Sequence, residues 1–461
     1  MTEQAKFLTG NLFRHVTVMS LTASLGLVAV FAVDLIDMVF ISMLGQDALA
    51  AAVGYAGAIL FFTTSFGIGM AIAAGALVAR ALGSGDEDLA RRRAGNALIY
   101  SVIFGALFAA LVWFNLPLLV ALIGATGDTA DLAVGYLQII VPTLPILMVG
   151  IIGGAILRAH GDAQRAMMAT IWGGVVNAVL DPILIFGLDL ELTGAALASV
   201  AARITIGAVA LLPIIRHHGG FDRPKISYLL EDLKPVFVIA APAILTQLAT
   251  PIGQAYVTRS MAEFGEDAVA GMAIVARLTP VAFGVIFALS GAVGPIIGQN
   301  VGAGMNDRVR TAFRSALLFT AIYVVGAALI LFFLRAPIAA LFQATDEATV
   351  LIYLFCGPLA LAYFFNGSLF VANAAFNNMS HPFYSTWLNW GRHTLGTIPF
   401  VIVGASWFGA SGVLIGQAVG GVIFGLLAWG MAERLIATNT LKKPDEDRFR
   451  TRPLSVLHHR R

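Results

Sequence analysis

Leu44-Gly-Gln-Asp-Ala-Leu-Ala50 returns at a shift of 220 residues as Phe264-Gly-Glu-Asp-Ala-Val-Ala270. Outward from this pair, Gly83-Ser-Gly-Asp-Glu-Asp-Leu-Ala-Arg91 reappears as Gly302-Ala-Gly-Met-Asn-Asp-Arg-Val-Arg310 at a shift of 219. Pro182 and Gly187 match Pro399 and Gly404 at a shift of 217. Three collinear matches at nearly one offset exceed what shared hydrophobicity would produce, and a repeat of this kind decides the fold. The chain divides into an N-lobe over 1–215 and a C-lobe over 235–440, joined by a polar linker at 216–234 and followed by a basic tail at 441–461.

The solvent of both halves is lipid. The 461 residues are 59% hydrophobic and only 12% charged, where a soluble domain carries roughly twice that charged fraction. Mean hydropathy is +0.86. A spanning helix needs about 20 mostly apolar residues, and the row holds twelve such stretches, from 15–43 to 410–436, six in each half. The expected fold is an all-α integral membrane protein of two pseudo-symmetric six-helix bundles. The 48 glycines suit helices that touch closely, since lipid supplies no hydrophobic drive between them. Two parallel halves with a site between them describe a rocking secondary transporter.

Charge is distributed unevenly. With the N-terminus inside, 23 of the 28 Lys and Arg fall on that side, against Arg259 and Arg335 on the other. The positive-inside rule therefore predicts both termini in the cytoplasm of a bacterial inner membrane. The apolar run after Arg14 is too long for a cleavable leader and ends in acids. The basic tail reads as a lipid-touching anchor rather than a nucleic-acid arm. Cys356 is the one cysteine, so no disulfide within the chain is expected.

The duplication supplies its own control, because matched positions that diverge point to function. Asp34 and Asp37 lie three apart on the first helix and share a face; their counterparts are Gln254 and Val257. Asn177 and Asp181 lie four apart on the fifth helix, and their counterparts are Thr394 and Ile398. Only the N-lobe holds intramembrane carboxylates. Such residues are costly in a bilayer and usually mark an ion path. Asp37 or Asp181 could exchange a proton, or Asp37, Asn177 and Asp181 together could form a sodium site from their oxygens. Pro182, directly after Asp181, frees a carbonyl one turn earlier.

These residues resemble those of the multidrug and toxic compound extrusion (MATE) family. Leu35-Ile-Asp37-Met-Val-Phe-Ile-Ser-Met-Leu-Gly45 looks like its first-helix signature, and Leu157-Arg-Ala-His-Gly161-Asp162 like its loop after helix four. Asn177-Ala-Val-Leu-Asp181-Pro182 is similar to its fifth-helix motif, particularly in the prokaryotic DinF-type branch. The similarity covers essentially the whole chain. It implies a monomeric antiporter, driven by protons more than by sodium, that exports cationic or amphipathic small molecules by alternating access without a bound cofactor. It also implies that Ser199 and Tyr136 join Asp37, Asn177 and Asp181 in the coupling site. One departure is that Ser20-Leu-Thr22-Ala lacks the proline many relatives carry in the first helix, although the second half has Pro242.

Arg203, on the helix of Ser199, is expected either to pair with an N-lobe acid or to satisfy carbonyls between helices. Arg277, Arg392 and His393 are expected within C-lobe helices, and Phe61, Phe62, Trp172, Trp387 and Trp390 could line an apolar cavity. A flippase for lipid-linked precursors is the nearest rival. An intramembrane enzyme is disfavoured, because the row shows no nucleophile elbow, phosphate-binding loop or His/Glu metal pattern.

Overall fold

The computed structural model describes residues 5–344 and 346–438, so the tail expected at 441–461 lies outside the described residues. The first half contains α1 (Leu12–Ser42), α2 (Asp47–Gly83), α3 (Glu87–Phe114), α4 (Leu116–Leu122), α5 (Gly127–Ile140), α6 (Leu144–Ala159), α7 (Ala163–Pro182) and α8 (Glu191–His217). The second contains α9 (Ile226–Ala262), α10 (Glu266–Gly302), α11 (Asn306–Leu341), α12 (Asp346–Leu354), α13 (Ala360–Asn378), α14 (Pro382–His393) and α15 (Ile398–Thr438). Among the described residues, eleven helical stretches are long and apolar enough to cross a membrane. The last of them, Pro382–Thr438, reverses at Gly409 (φ 60°, ψ −140°), a conformation that only glycine adopts readily. That reversal makes twelve passes in two six-helix bundles.

Two departures from the expected limits have local causes. The fourth pass is broken into α5 and α6 by a tight turn at Val141–Thr143, because Pro142 cannot donate to the helical ladder. The linker expected at 216–234 is partly helical, since α9 already starts at Ile226. Its first turns are held against α3. Arg92 forks onto Asp232 through two bonds of 2.9 Å, Asn96 donates to Asp232 at 2.7 Å, and Tyr100 donates to the Leu229 carbonyl. The first helix runs unbroken from Leu12 to Ser42, as its lack of proline allows.

The leading helix of each half divides its burial between the halves. Leu12, Val16 and Met19 of α1 are buried in the C-lobe core, whereas Ile41 near its other end is buried in the N-lobe core. Reciprocally, Val236, Ile239 and Ala240 of α9 sit in the N-lobe core and Val257 and Met261 in the C-lobe core. Each leading helix is therefore a strut between bundles.

The halves are joined at the face rich in Lys and Arg. There α2 and α10 cross with no room for a side chain. A Cβ on Gly83 would overlap the Gln299 carbonyl, and one on Gly302 would overlap the Arg80 carbonyl. Gln299 donates to the Ala159 carbonyl at 2.8 Å and accepts from the Phe7 amide at 2.8 Å. Phe7, 1% exposed, plugs the seam, and Arg308 reaches its carbonyl at 2.9 Å. Lys6 donates to the Gly161 carbonyl at 2.7 Å, and Arg80 to Ser380 at 3.0 Å. Among the described residues, the hydrogen bonds crossing between the halves all lie at this face.

The α6–α7 turn, on the same face, carries an ionisable cluster. Asp162 caps α7 at the Arg165 amide and meets Arg165 Nη1 at 2.5 Å and His218 Nε2 at 3.2 Å. Burial alone would raise the Asp162 carboxyl, but the bonds from His218 and Arg165 outweigh it and hold its pKa at about 2. His160 stacks on His218 at 4.4 Å, and burial, reinforced by that neighbour, lowers its pKa to about 4.

Valine at Gly83 or Gly302 should force α2 and α10 apart. Labelling of a Ser290→Cys probe from the basic face, in a Cys356→Ala background, should then rise several-fold; unchanged labelling would show that the crossing is not the closure. A second prediction concerns pH. Because the folded state favours neutral His160, its stabilising contribution is complete above about pH 6.5 and declines as pH falls toward 4. The melting temperature of the purified protein should drop between pH 7 and pH 5, and His160→Asn should flatten that drop.

Candidate functional site

Asp37 on α1 and Asn177 and Asp181 on α7 converge. Asn177 Nδ2 donates to Asp37 Oδ1 and to Asp181 Oδ2, each at 2.8 Å. The two carboxyls also stand close enough to interact directly. Asn177 is 3% exposed and Asp181 is fully buried, and Asp181 Oδ1 has no hydrogen-bond partner. Two carboxyls this close, one buried and one half-buried, repel one another unless a proton or a hard cation is shared between them. The i, i+4 spacing on α7 aims both side chains at α1, which is the geometry that spacing predicts.

The other expected residues fall into two groups. Tyr136 is buried and its hydroxyl meets Ser199, with Asp37, Asp181 and Arg203 in its electrostatic surroundings. Asp34 lies one turn from Asp37 but is exposed, with no hydrogen-bond partner among the described residues. Arg203 does not pair with an acid. Its Nη1 donates to the Ile140 carbonyl at 2.9 Å and to Thr143 Oγ1 at 2.8 Å. The turn at Pro142 explains this choice: the Leu144 amide bonds to Val141 instead of Ile140, so the Ile140 carbonyl accepts from Arg203 and from Thr143 Oγ1 (2.7 Å).

A cavity of about 350 Å³ lies between the halves, walled by α1, α2, α6, α7, α9, α10 and α13 and shut at the basic face by the α2–α10 crossing. Its aromatic wall is Phe287 and Phe370, in edge contact at 5.8 Å. None of Phe61, Phe62, Trp172, Trp387 or Trp390 lines it; the first four are 47–74% exposed on the outer surface or rim. Trp390 instead donates to the Leu245 carbonyl at 2.9 Å. Arg277 is exposed, while His393 is buried against Gly253. Asp37, Asn177 and Asp181 are not among the residues of the cavity wall; they lie further along the same helices, beyond Val30 of α1 and Thr170 of α7, which do line it.

The MatE family model matches residues 23–183 and again 242–403, once in each half. The chain belongs to the MatE family. It is a multi-pass membrane transporter of small molecules and not an enzyme. This MatE chain is 28% identical over 444 residues to a FAD transporter of Shewanella oneidensis, covering 94% of this chain and 97% of that one. It is 24% identical over 346 residues to the multidrug export protein MepA of Staphylococcus aureus, covering 73% and 75%. Its fold matches the Vibrio cholerae MATE transporter VcmN in the bent form, with a TM-score of 0.86, 24% identity and coverage of 92% and 97%. An outward-facing multidrug resistance MATE transporter gives 0.87 at 21% identity, covering 95% and 98%.

Sequence reasoning missed the cavity wall, notably Arg158, Gln247, Phe287, Phe370, Asn373 and Asn377. Arg158 was counted with the basic loops, as the last turn of an apolar run invites. The repeat held a usable signal: at a shift of 219, Arg158 faces the uncharged Asn377.

Removing the bridging amide should leave the carboxyls unsatisfied. Asn177→Leu is expected to lower stability by about 1–3 kcal/mol. Adding Asp181→Leu should recover most of that loss, because it removes the orphaned acceptor. Unfolding in detergent followed by circular dichroism checks both, and equal melting of Asn177→Leu and wild type would overturn the bridging role.

Proposed function

We propose that this protein is an ion-coupled antiporter that exports amphipathic organic compounds by alternating access, with Asp37, Asn177 and Asp181 as the coupling site. The observation that carries the reading is the Asn177 amide holding two intramembrane carboxyls from different helices, one with a buried oxygen unsatisfied. Tyr136 and Ser199 adjoin this network and Asp34 adds charge one turn away. Asn177 gives its N–H groups to both acids, which leaves few oxygens for a metal ion. Hard cations are held by several oxygens, so the arrangement favours a proton over sodium.

The excess of Lys and Arg supports a reading in which the basic face lies in the cytoplasm of a bacterial inner membrane, with both termini on that side. The closed seam then makes the described state outward-facing. The unbroken α1 supplies a mechanical link. Its far half carries Asp37 beside α7, and its near half is buried in the C-lobe. Taking a charge off Asp37 or Asp181 changes how α1 seats on α7, and that change is felt at the α1–C-lobe contact. A monomer suffices, because cavity and acids are built from one chain, and the energy source is the ion gradient alone, without a cofactor.

The relatives differ in what their names say they carry, one FAD and one multiple drugs, and both fit an amphipathic cargo. The acids that suggested a cationic cargo stand outside the cavity, so the cargo's charge must be read from the cavity itself. The test is dye export from proteoliposomes under a proton or a sodium gradient, for wild type and Asp181→Asn. Export that follows the proton gradient and falls by about tenfold or more in the variant is expected, since intramembrane carboxylates of this kind carry the coupled ion. Sodium dependence would make the three residues a cation site. Retention of full gradient-driven export by Asp181→Asn would sink the coupling assignment, and absence of export under either gradient would favour a lipid-linked cargo.

A further inference from the structure

The cargo cavity is electrostatically one-sided. Among its lining residues Arg158 alone is ionisable. The rest are apolar or neutral, the polar ones including Thr246, Gln247, Ser290, Asn373, Asn377 and Asn378. Arg158 stands at the end of α6, one residue before the Ala159 carbonyl that Gln299 clamps, so it marks the floor of the cavity beside the closed seam. Its guanidinium has no hydrogen bond or ion pair with any described residue. Glycines make the space around it: a Cβ on Gly154 would sit 3.4 Å from Arg158 Nη1, and one on Gly291 of α10 would sit 3.9 Å from its Nε.

Four other arginines near this seam are engaged. Arg80 bonds the Ala76 carbonyl and Ser380, Arg92 bonds Asp232, Arg93 bonds the Leu77 carbonyl, and Arg308 bonds Asn300 and Phe7. Arg158 lies on a mostly apolar cavity wall with no protein partner for its guanidinium. A half-buried cation without a partner is poised to take an anionic one. Guanidinium donors match the two-oxygen edge of a carboxylate or phosphate. Phe287 and Phe370 offer a flat apolar surface to a planar body.

We propose that Arg158 is the oxyanion anchor of the cavity, so that the cargo is an amphipath joining a carboxylate or phosphate to a flat apolar body. This inference rests on the reading of the cavity as the cargo site. A cationic cargo would have to bury its charge against Arg158 with no carboxylate in the wall, which like-charge repulsion opposes. Protonic antiport then carries an anion out while neutralising N-lobe acids that the anion itself never meets.

Equilibrium binding to the purified full-length protein tests this without any gradient. The probes are carboxyfluorescein, umbelliferyl phosphate and ethidium, read by fluorescence polarisation or quenching for wild type, Arg158→Gln and Arg158→Lys. Wild type should bind an anionic probe at least about tenfold more tightly than ethidium, and Arg158→Gln should lose about tenfold or more of that affinity, as expected for a charge-assisted pair. Ethidium binding should not weaken in the same variant and should tighten, because the like charge that opposes it is removed. Preference for carboxyfluorescein or for umbelliferyl phosphate tells the two oxyanions apart. Arg158→Lys, a point charge without the fork, should keep part of the affinity. Should Arg158→Gln fail to fold, wild type still decides: phenylglyoxal modification of Arg158, read by mass spectrometry, should be slowed by the anionic probes and not by ethidium. Equal loss of all three probes, no loss, or no protection would overturn the assignment. Anion binding without gradient-driven export would instead leave the anchor standing and remove the antiport reading.

Discussion

The whole arrangement depends on one backbone crossing. At Gly83 and Gly302 the ends of α2 and α10 approach so closely that any side chain would overlap the partner's carbonyl. Lipid gives helices no hydrophobic reason to associate, so contact of this kind must come from packing and hydrogen bonds. The crossing is reciprocal: Gly83 meets Gln299, and Gly302 meets Arg80. Gln299 and Arg80 occupy matched positions of the repeat, and each also reaches across the seam, to Ala159 and to Ser380. Around this point the Phe7 plug, the Lys6 and Arg308 contacts and the floor of the cavity are all assembled.

Because the seam holds one face only, the two bundles can diverge toward the other, and α1 and α9 are the struts that span the gap. Their divided burial has a chemical consequence in α1 alone. One half of that helix is anchored among Val16, Met19 and C-lobe side chains, and the other carries Asp37 into the amide bridge with Asn177 and Asp181. The amide bridge and the C-lobe contact are thus joined by one continuous helix. In α9 the matched residue is the apolar Val257, so the C-lobe strut carries no such load. The duplication gives mechanical symmetry, and the acids break it.

Acid and cavity sites serve opposite electrostatics. The N-lobe network gathers carboxyls around an amide, outside the cavity wall, while the cavity holds a guanidinium and no acid. On the proposed reading, separation of this sort would let ion and cargo bind without competing for one oxygen. It also accounts for Arg203: the broken pass at Pro142 supplies it with a carbonyl and a hydroxyl, so it does not neutralise the carboxyls nearby.

Much of this was legible in the row of residues. Twelve apolar runs, three repeat pairs and the face-sharing of Asp34 with Asp37 and of Asn177 with Asp181 follow from local spacing, because helix geometry is periodic and the bilayer forces backbone bonds to be made within each span. The convergence of Asp37 with Asn177 needed only the placing of two helices side by side. What spacing could not supply was which side chains face inward between the lobes. Trp387 and Phe287 look alike in sequence, yet one is exposed and the other lines the cavity. Arg158 reads as one more basic loop residue until the α2–α10 crossing draws α6 and α10 around it. The sequence by itself determined the spans, the duplication and the acid-bearing half, since each depends on neighbours along the chain. Only the tertiary structure decided the closed face, the partner of Arg203 and the lone cation in the cavity, since those depend on contacts between residues far apart in the chain.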